Sequence, residues 1–175
     1  GLNHYTSRLV RRPKPGEEIG SWPFYGSSEL NMVMMSDPTW PSSEADWFSL
    51  YAEGLRHQLH WINQTYGVKE IIITENGIPT VNPQLQDWQR LEYFRSYLEQ
   101  VLIAMNEGIP VTGYMTWSLM DNFEWFGGYS SQFGIYAVNF SDPLRTRTPR
   151  ESARYYAAVT RSRTHVMSHN IMNYT

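Results

Sequence analysis

Glu75 is the residue of this sequence best placed to do chemistry. It follows Ile71, Ile72, Ile73 and Thr74 and precedes Asn76-Gly77. A carboxylate directly after so apolar a run stands where a buried strand ends. In parallel α/β barrels reactive residues lie just past the C-terminal ends of strands. Cleaving a glycosidic bond takes two carboxylates flanking the acetal, and when configuration is retained one of them attacks the anomeric carbon. The same residues, Thr74-Glu75-Asn76-Gly77, also spell a turn, because Asn-Gly is a common turn dipeptide. A second cluster is Thr116-Trp117-Ser118-Leu119-Met120-Asp121-Asn122-Phe123-Glu124-Trp125, with two Trp, one Phe and two acids in ten residues. Flat apolar faces suit the C–H surfaces of a sugar, and carboxylates accept from vicinal hydroxyls. A buried aromatic loop with surface acids has the same composition. The strand-end rule also selects Asn3, Tyr5 and Trp117.

The elements that must carry these residues alternate. Residues 2–10 are apolar and β-rich, and residues 11–45 are a long loop full of Pro, Gly, Ser and acids. Residues 46–65 read as a helix, since Leu55, Leu59 and Ile62 recur at helical spacing and Gly67 stops the run. Residues 70–74 form a strand of the kind buried on both faces of a parallel sheet. Residues 87–106 form a second helix, with Leu91, Phe94, Leu98, Val101, Leu102 and Met105 on one side, ended by Gly108 and Pro110. Residues 111–118 are the next strand, and residues 119–140 a loop with a short Gly/aromatic hairpin. Thr148-Pro149-Arg150-Glu151 then predicts a helix start with Thr148 as N-cap and Glu151 completing a capping box. That helix runs to about Ser162, and residues 163–175 read as a tail. The order βαβαβ plus a helix is the parallel α/β pattern. Three strands cannot close a barrel, so the chain is expected to be part of something larger.

Bulk properties narrow the classes. The 175 residues suffice for one domain, and 41% hydrophobic with 18% charged residues is a globular composition. A net charge of -3 with no basic stripe gives no electrostatic basis for binding nucleic acid or an anionic membrane. No apolar run approaches the roughly 20 residues that span a bilayer. The absence of cysteine excludes disulfides and thiolate chemistry. Aromatic residues reach 15%, with 7 Trp and 12 Tyr, which suits either a sugar cleft or an aromatic core. His57 and His60 share a helix face with no carboxylate or third His beside them in sequence, and they read as a solvated face rather than a metal site. Sequons at Asn63, Asn139 and Asn173 exceed the roughly one expected by chance and suggest a secretory-pathway protein.

With these motifs together, the sequence resembles glycoside hydrolase family 1, the β-glucosidase and β-galactosidase family. The matching segments are Asn3-His4-Tyr5, Glu53-Gly54-Leu55-Arg56, Ile73-Thr74-Glu75-Asn76-Gly77, and residues 113–125. They continue with Gly128-Tyr129-Ser130-Ser131-Gln132-Phe133-Gly134 and Arg147-Thr148-Pro149-Arg150-Glu151-Ser152-Ala153, in the family's order over roughly residues 1–160. The resemblance implies a (β/α)₈ TIM barrel of which this chain supplies about strands six to eight, with strands one to five absent. It implies that Glu75 is the nucleophile and that Tyr5 hydrogen-bonds and orients it. Glu124 matches the residue that accepts from the sugar O4 and O6 hydroxyls, and Trp125 the indole donor toward O3. Trp117 matches the platform beneath the glycone, Phe133 the aromatic wall near the C6 hydroxymethyl, and Asn3 a peripheral lining residue.

The substrate implied is a small unphosphorylated β-glycoside, because the 6-phosphoglycosidase branch carries a small residue where Glu124 stands. No metal or organic cofactor is implied. The Asn-Glu-Pro motif that bears the general acid/base is absent from the sequence, so the chain alone is expected to be inactive and to require the N-terminal part of the barrel. Ala52, Gln132 and Asn139 depart from the usual Pro, Arg and Asp, all outside the catalytic set. A myrosinase-type thioglucosidase and a non-catalytic klotho-like binding barrel remain open alternatives. Retention of Glu75, Tyr5 and Glu124 together argues against the second. A free-standing carbohydrate-binding module does not suit the βαβ order.

Overall fold

The computed structural model describes residues 1–19, 29–45, 47–81 and 84–162. The sequon at Asn173 and the tail read over residues 163–175 lie outside the described residues. In chain order the elements are β1 (Leu2–Asn3), β2 (Leu9–Arg11), β3 (Val33–Met35), α1 (Glu53–Tyr66), β4 (Ile71–Glu75), α2 (Trp88–Asn106), β5 (Val111–Tyr114), β6 (Tyr136–Val138), β7 (Arg147–Pro149) and α3 (Glu151–Ser162). β1, β4 and β5 form a parallel sheet in that order, with Asn3 opposite Glu75 and Ile73 opposite both Leu2 and Tyr114. α2 lies against both α1 and α3. The core between helices and sheet is built on Leu55, Leu59, Ile73, Phe94 and Tyr97, each 0% exposed. Each such side chain contributes roughly 1.5–3 kcal/mol by burial.

Several boundaries differ from the sequence reading, and each difference has a long-range cause. The apolar run over residues 2–10 divides into β1 and β2, because the Tyr5 carbonyl accepts from the Tyr93 hydroxyl at 2.9 Å instead of from a neighbouring strand. β2, at the end of that run, pairs antiparallel with β3 inside the long loop, with Val10 opposite Met34. α1 begins at Glu53, not at residue 46. Ahead of it Ser49 bridges to Ser42, and the Leu50 N–H bonds the Pro41 carbonyl at 2.8 Å, which holds the backbone extended. Gly67 does end α1, with φ 56° and its N–H on the Asn63 carbonyl at 2.9 Å. β5 ends at Tyr114 rather than at residue 118, but Met115 and Trp117 still donate to the Ile73 and Asn76 carbonyls at 2.8 and 2.9 Å. The hairpin is formed by β6 and β7, so its second strand lies beyond residue 140.

Two helix readings are also corrected. The buried stripe of α2 runs through Arg90, Phe94, Tyr97, Val101 and Ala104, which leaves Leu102 and Met105 exposed at 41% and 45%. The local capping box of α3 does not form, because Thr148 and Pro149 belong to β7. The cap comes instead from Asp87, ahead of α2, whose carboxylate accepts the Ser152 N–H at 2.9 Å and the Ser152 hydroxyl at 2.5 Å. Asp87 is also paired with Arg90 at 2.5 Å, both side chains essentially buried. One carboxylate therefore ties the start of α2 to the start of α3. Helix N-termini favour such an acceptor because their first N–H groups have no intrahelical partner.

Candidate active site

Parallel strands bring their C-terminal ends to one edge of the sheet, and that edge gathers most of the selected residues. Tyr5 follows β1, Glu75 closes β4 and Trp117 follows β5. The Tyr5 hydroxyl donates to Glu75 Oε2 at 2.5 Å across 70 positions of sequence. Both side chains are half-buried. Burial, then the bond to Glu75 and the negative charges of Glu75 and Glu124, push the Tyr5 phenol far above the ordinary phenol range. It therefore stays protonated as a donor. A carboxylate held by one strong donor, with its other oxygen not so engaged, has the geometry of an oriented nucleophile.

The second cluster is folded as a loop with a tight turn. Trp125, Phe126 and Gly127 form a turn of 3₁₀ helix, and Glu124 and Gly128 close it by a 2.7 Å bond from the Glu124 N–H to the Gly128 carbonyl. Trp125 adopts a positive φ of 41° and is 80% exposed. A bulky residue held in that region costs on the order of 1–3 kcal/mol, and such strain concentrates at functional sites. The Trp117 indole N–H points to Glu124 Oε2 at 3.4 Å. Burial pushes the Glu124 carboxyl up, the Trp117 indole partly offsets this, and the charge of Glu75 adds to the rise. Glu124 thus lies within the field of Glu75.

Phe133 packs beneath the Tyr5–Glu75 pair. It is buried at 3% exposure, with its ring edge-on to Tyr5 at 5.7 Å and 80°. It backs the phenol that meets Glu75. Asn3 is exposed and accepts from the Thr74 hydroxyl at 2.6 Å, one residue before Glu75. Asp121, read from sequence as one of two hydroxyl-accepting acids, is committed to the interior. It forms a bidentate pair with Arg150 at 2.9 Å for both contacts, each side chain 1% exposed. It also accepts the Gly134 and Val138 N–H groups at 3.0 and 3.2 Å. That pair fixes the loop carrying Glu124 and Trp125 to the start of α3. Gln132, one of the departures from the family pattern, accepts from Arg150 at 2.7 Å.

Gly77 has a steric reason that its turn propensity does not supply. A Cβ there would lie 1.8 Å from the Trp117 carbonyl oxygen, so only glycine lets the two strand ends approach. Asn76, read only as a turn residue, is fully buried and bonds three elements at once: the His4 carbonyl and Tyr93 hydroxyl at 2.8 Å each, and the Tyr114 hydroxyl at 2.6 Å. The signal that could have found it is a polar residue between Glu75 and a glycine that admits no side chain, with tyrosines on the apolar stripe of the next helix. The His57/His60 face also differs from its reading. A carboxylate does join it, since Glu107 pairs with His60 at 2.7 Å and with Arg56. This is an ion-pair staple between α1 and the end of α2. Among the described residues no group of three or more His, Cys, Asp or Glu is placed to hold a metal ion.

Comparison with known proteins yields one family. The profile described as "Glycosyl hydrolase family 1" matches residues 1–165. Human lactase/phlorizin hydrolase is 41% identical over 159 residues, covering 90% of this chain and 8% of that protein. Myrosinase 1 of Brevicoryne brassicae is 42% identical over 161 residues, covering 90% of this chain and 33% of that protein. Among solved structures, the β-glucosidase from Thermotoga maritima in complex with glucoimidazole superposes with a TM-score of 0.75 at 28% identity, over 91% of this chain and 33% of that one. The chain thus spans about a third of the length of the myrosinase and the β-glucosidase, and a smaller share of the lactase.

Proposed function

This chain belongs to glycosyl hydrolase family 1, and from that premise we propose that it is the nucleophile-bearing part of a longer barrel, about strands six to eight, that hydrolyses unphosphorylated β-D-glycosides with retention. The observation that carries the reading is the 2.5 Å contact between the Tyr5 hydroxyl and Glu75 Oε2 at the C-terminal edge of the parallel strands. Glu75 attacks the anomeric carbon as the glycosidic C–O bond breaks. The leaving oxygen takes its proton from a carboxylic acid in the rest of the barrel. Water then adds to the anomeric carbon, gives its proton to that same group, and releases the sugar from Glu75. The Tyr5 phenol holds the carboxylate in line and gives up no proton, since it stays un-ionised. Glu124 and Trp125 bind the glycone hydroxyls, Trp117 supplies the face beneath the ring, and Asn3 lines the edge. Phe133 supports Tyr5. The isolated 175 residues lack the acid/base and are inactive. A secretory route is favoured by the sequon at Asn139, which lies exposed in the β6–β7 turn.

The test is labelling of the full-length protein with a 2-deoxy-2-fluoro-β-glucoside bearing a good leaving group, followed by digestion and mass spectrometry. The expected adduct is on Glu75. Turnover with the label on another residue removes Glu75 from its role, and neither turnover nor label favours a binding barrel.

A second reading, hydrolysis of thioglycosides, is favoured by the 42% identity to the Brevicoryne brassicae myrosinase. It differs in the bond cleaved and not in the nucleophile. Turnover of a β-thioglucoside at a rate comparable with the oxygen analogue decides for it.

Glu124 gives a further expected result. Replacing it by Ala removes two charge-assisted hydrogen bonds to the glycone, about 3 kcal/mol together, which is a fall of about a hundredfold in kcat/KM for a β-glucoside. Because its carboxyl is raised mainly by burial, ionised Glu124 is lost earlier on acidification than a free glutamate, and glycone binding weakens there. The wild-type protein should ignore β-glucoside 6-phosphate, which this carboxylate repels. Equal turnover of the two substrates would remove the role assigned to Glu124.

A further inference from the structure

Behind the Tyr5–Glu75 pair lies a layer of hydrogen bonds centred on Tyr93 and Asn76, both fully buried. Tyr93 projects from α2, is 0% exposed, and is stacked on Tyr97 at 3.9 Å between ring centroids. Its hydroxyl donates to the Tyr5 carbonyl at 2.9 Å and accepts one hydrogen of the Asn76 amide at 2.8 Å. The same amide nitrogen donates to the His4 carbonyl at 2.8 Å. The Asn76 carbonyl oxygen is taken by the Tyr114 hydroxyl at 2.6 Å. On the backbone, the His4 N–H donates to the Glu75 carbonyl and the Trp117 N–H to the Asn76 carbonyl, both at 2.9 Å.

These bonds span the two peptide segments whose side chains meet at the reacting carboxylate. One segment is His4-Tyr5 and the other is Glu75-Asn76, and no covalent link shorter than 70 residues joins them. β1 is two residues long, so its ladder alone is a weak guide to where Tyr5 stands. We propose that Tyr93 is a positioning residue for the Tyr5–Glu75 pair, its hydroxyl joining the Tyr5 carbonyl to the Asn76 amide and so setting the register in which phenol meets carboxylate. The proposal rests on the reading of Glu75 as nucleophile. It assigns Tyr93 no contact with substrate. The physical logic is that proximity effects fall steeply with displacement, so a misplacement of about 1 Å costs up to about a hundredfold in rate. A hydroxyl that bridges both segments holds that tolerance where an apolar side chain would only fill space.

The test uses full-length protein and the fluoro-glucoside label, comparing Tyr93→Phe, Tyr5→Phe and the double variant, with Tyr155→Phe as a control. Tyr155 is a buried tyrosine of α3 whose hydroxyl has no hydrogen-bond partner among the described residues. For Tyr93→Phe the rate constant of labelling at saturation should fall by roughly tenfold or more, while the concentration for half-saturation stays within about twofold. In the double variant Tyr93→Phe should cost little beyond Tyr5→Phe alone, since the residue acts through that phenol. Multiplying losses, or a control rate equally reduced, overturn the proposal and assign Tyr93 to stability only. If Tyr93→Phe does not fold, Tyr114→Phe removes the bond on the other side of Asn76 and is judged by the same criteria. A wild-type label on a residue other than Glu75 would instead show that the nucleophile reading had failed, a separate outcome.

Discussion

Glu75→Ala in the full-length protein should lose on the order of 10⁴- to 10⁶-fold in kcat toward β-glucosides, with its fold intact. Removing a covalent nucleophile costs on that scale because the residual rate comes from binding and electrostatics alone. The fold should survive because, among the described residues, the half-buried carboxylate has one side-chain hydrogen-bond partner, the Tyr5 hydroxyl. The β4 backbone bonds to β1 and β5 need no Glu side chain. The informative arm is chemical rescue. The shortened side chain leaves room for a small anion, and azide attacking from the vacated face with an activated β-glucoside should yield the α-glycosyl azide. A β-product, or hydrolysis within about tenfold of wild type, sinks the assignment of Glu75. A circular dichroism melt close to that of wild type excludes unfolding as the cause.

The largest expected effect on stability belongs to a residue distant from the chemistry. Arg150→Met leaves the Asp121 carboxylate buried with two backbone N–H donors and no cation. It also strips donors from the Gly134 carbonyl and the Gln132 side chain. Breaking a buried pair by removing one partner costs about 3–5 kcal/mol, because an uncompensated charge remains inside. In a domain of barrel size this corresponds to a fall of roughly 10 °C in melting temperature. Replacing both residues by apolar side chains of similar volume should recover part of the loss, as the penalty is the orphaned charge and not a missing attraction. Asp121 lies three positions before Glu124, so Arg150→Met should also raise KM at temperatures where the protein is still folded. A melting temperature within about 2 °C of wild type would show that Asp121 is satisfied without Arg150.

Much of the architecture was legible because it is written locally. The Ile71–Ile73 run, the helical spacing of Leu55 and Leu59, and the stop at Gly67 each depend on a few neighbouring residues, and each stands in the structure at about the predicted place. Glu75 was legible for the same reason, as an acid at the end of an apolar strand. The family resemblance added the expectation that Tyr5 meets it, and the 2.5 Å contact agrees with that.

What the sequence by itself determined is therefore the alternation of strands and helices and the identity of the residues delivered to the strand ends. Only the tertiary structure decided partnership. Asp121 reads like Glu124 in the same loop, yet one is buried against Arg150 from 29 positions away and the other is half-buried beside the Trp117 indole. The cap of α3 comes from Asp87 across 65 positions, in place of the local Thr148. Glu107 joins His60 from the next helix, and Phe133 turns inward against Tyr5. The physical reason is common to all four. Periodicity and turn chemistry act over one or two turns of chain, whereas hydrogen bonds, ion pairs and ring contacts form between whichever groups the tertiary fold brings together, and a buried charge accepts no position without a partner.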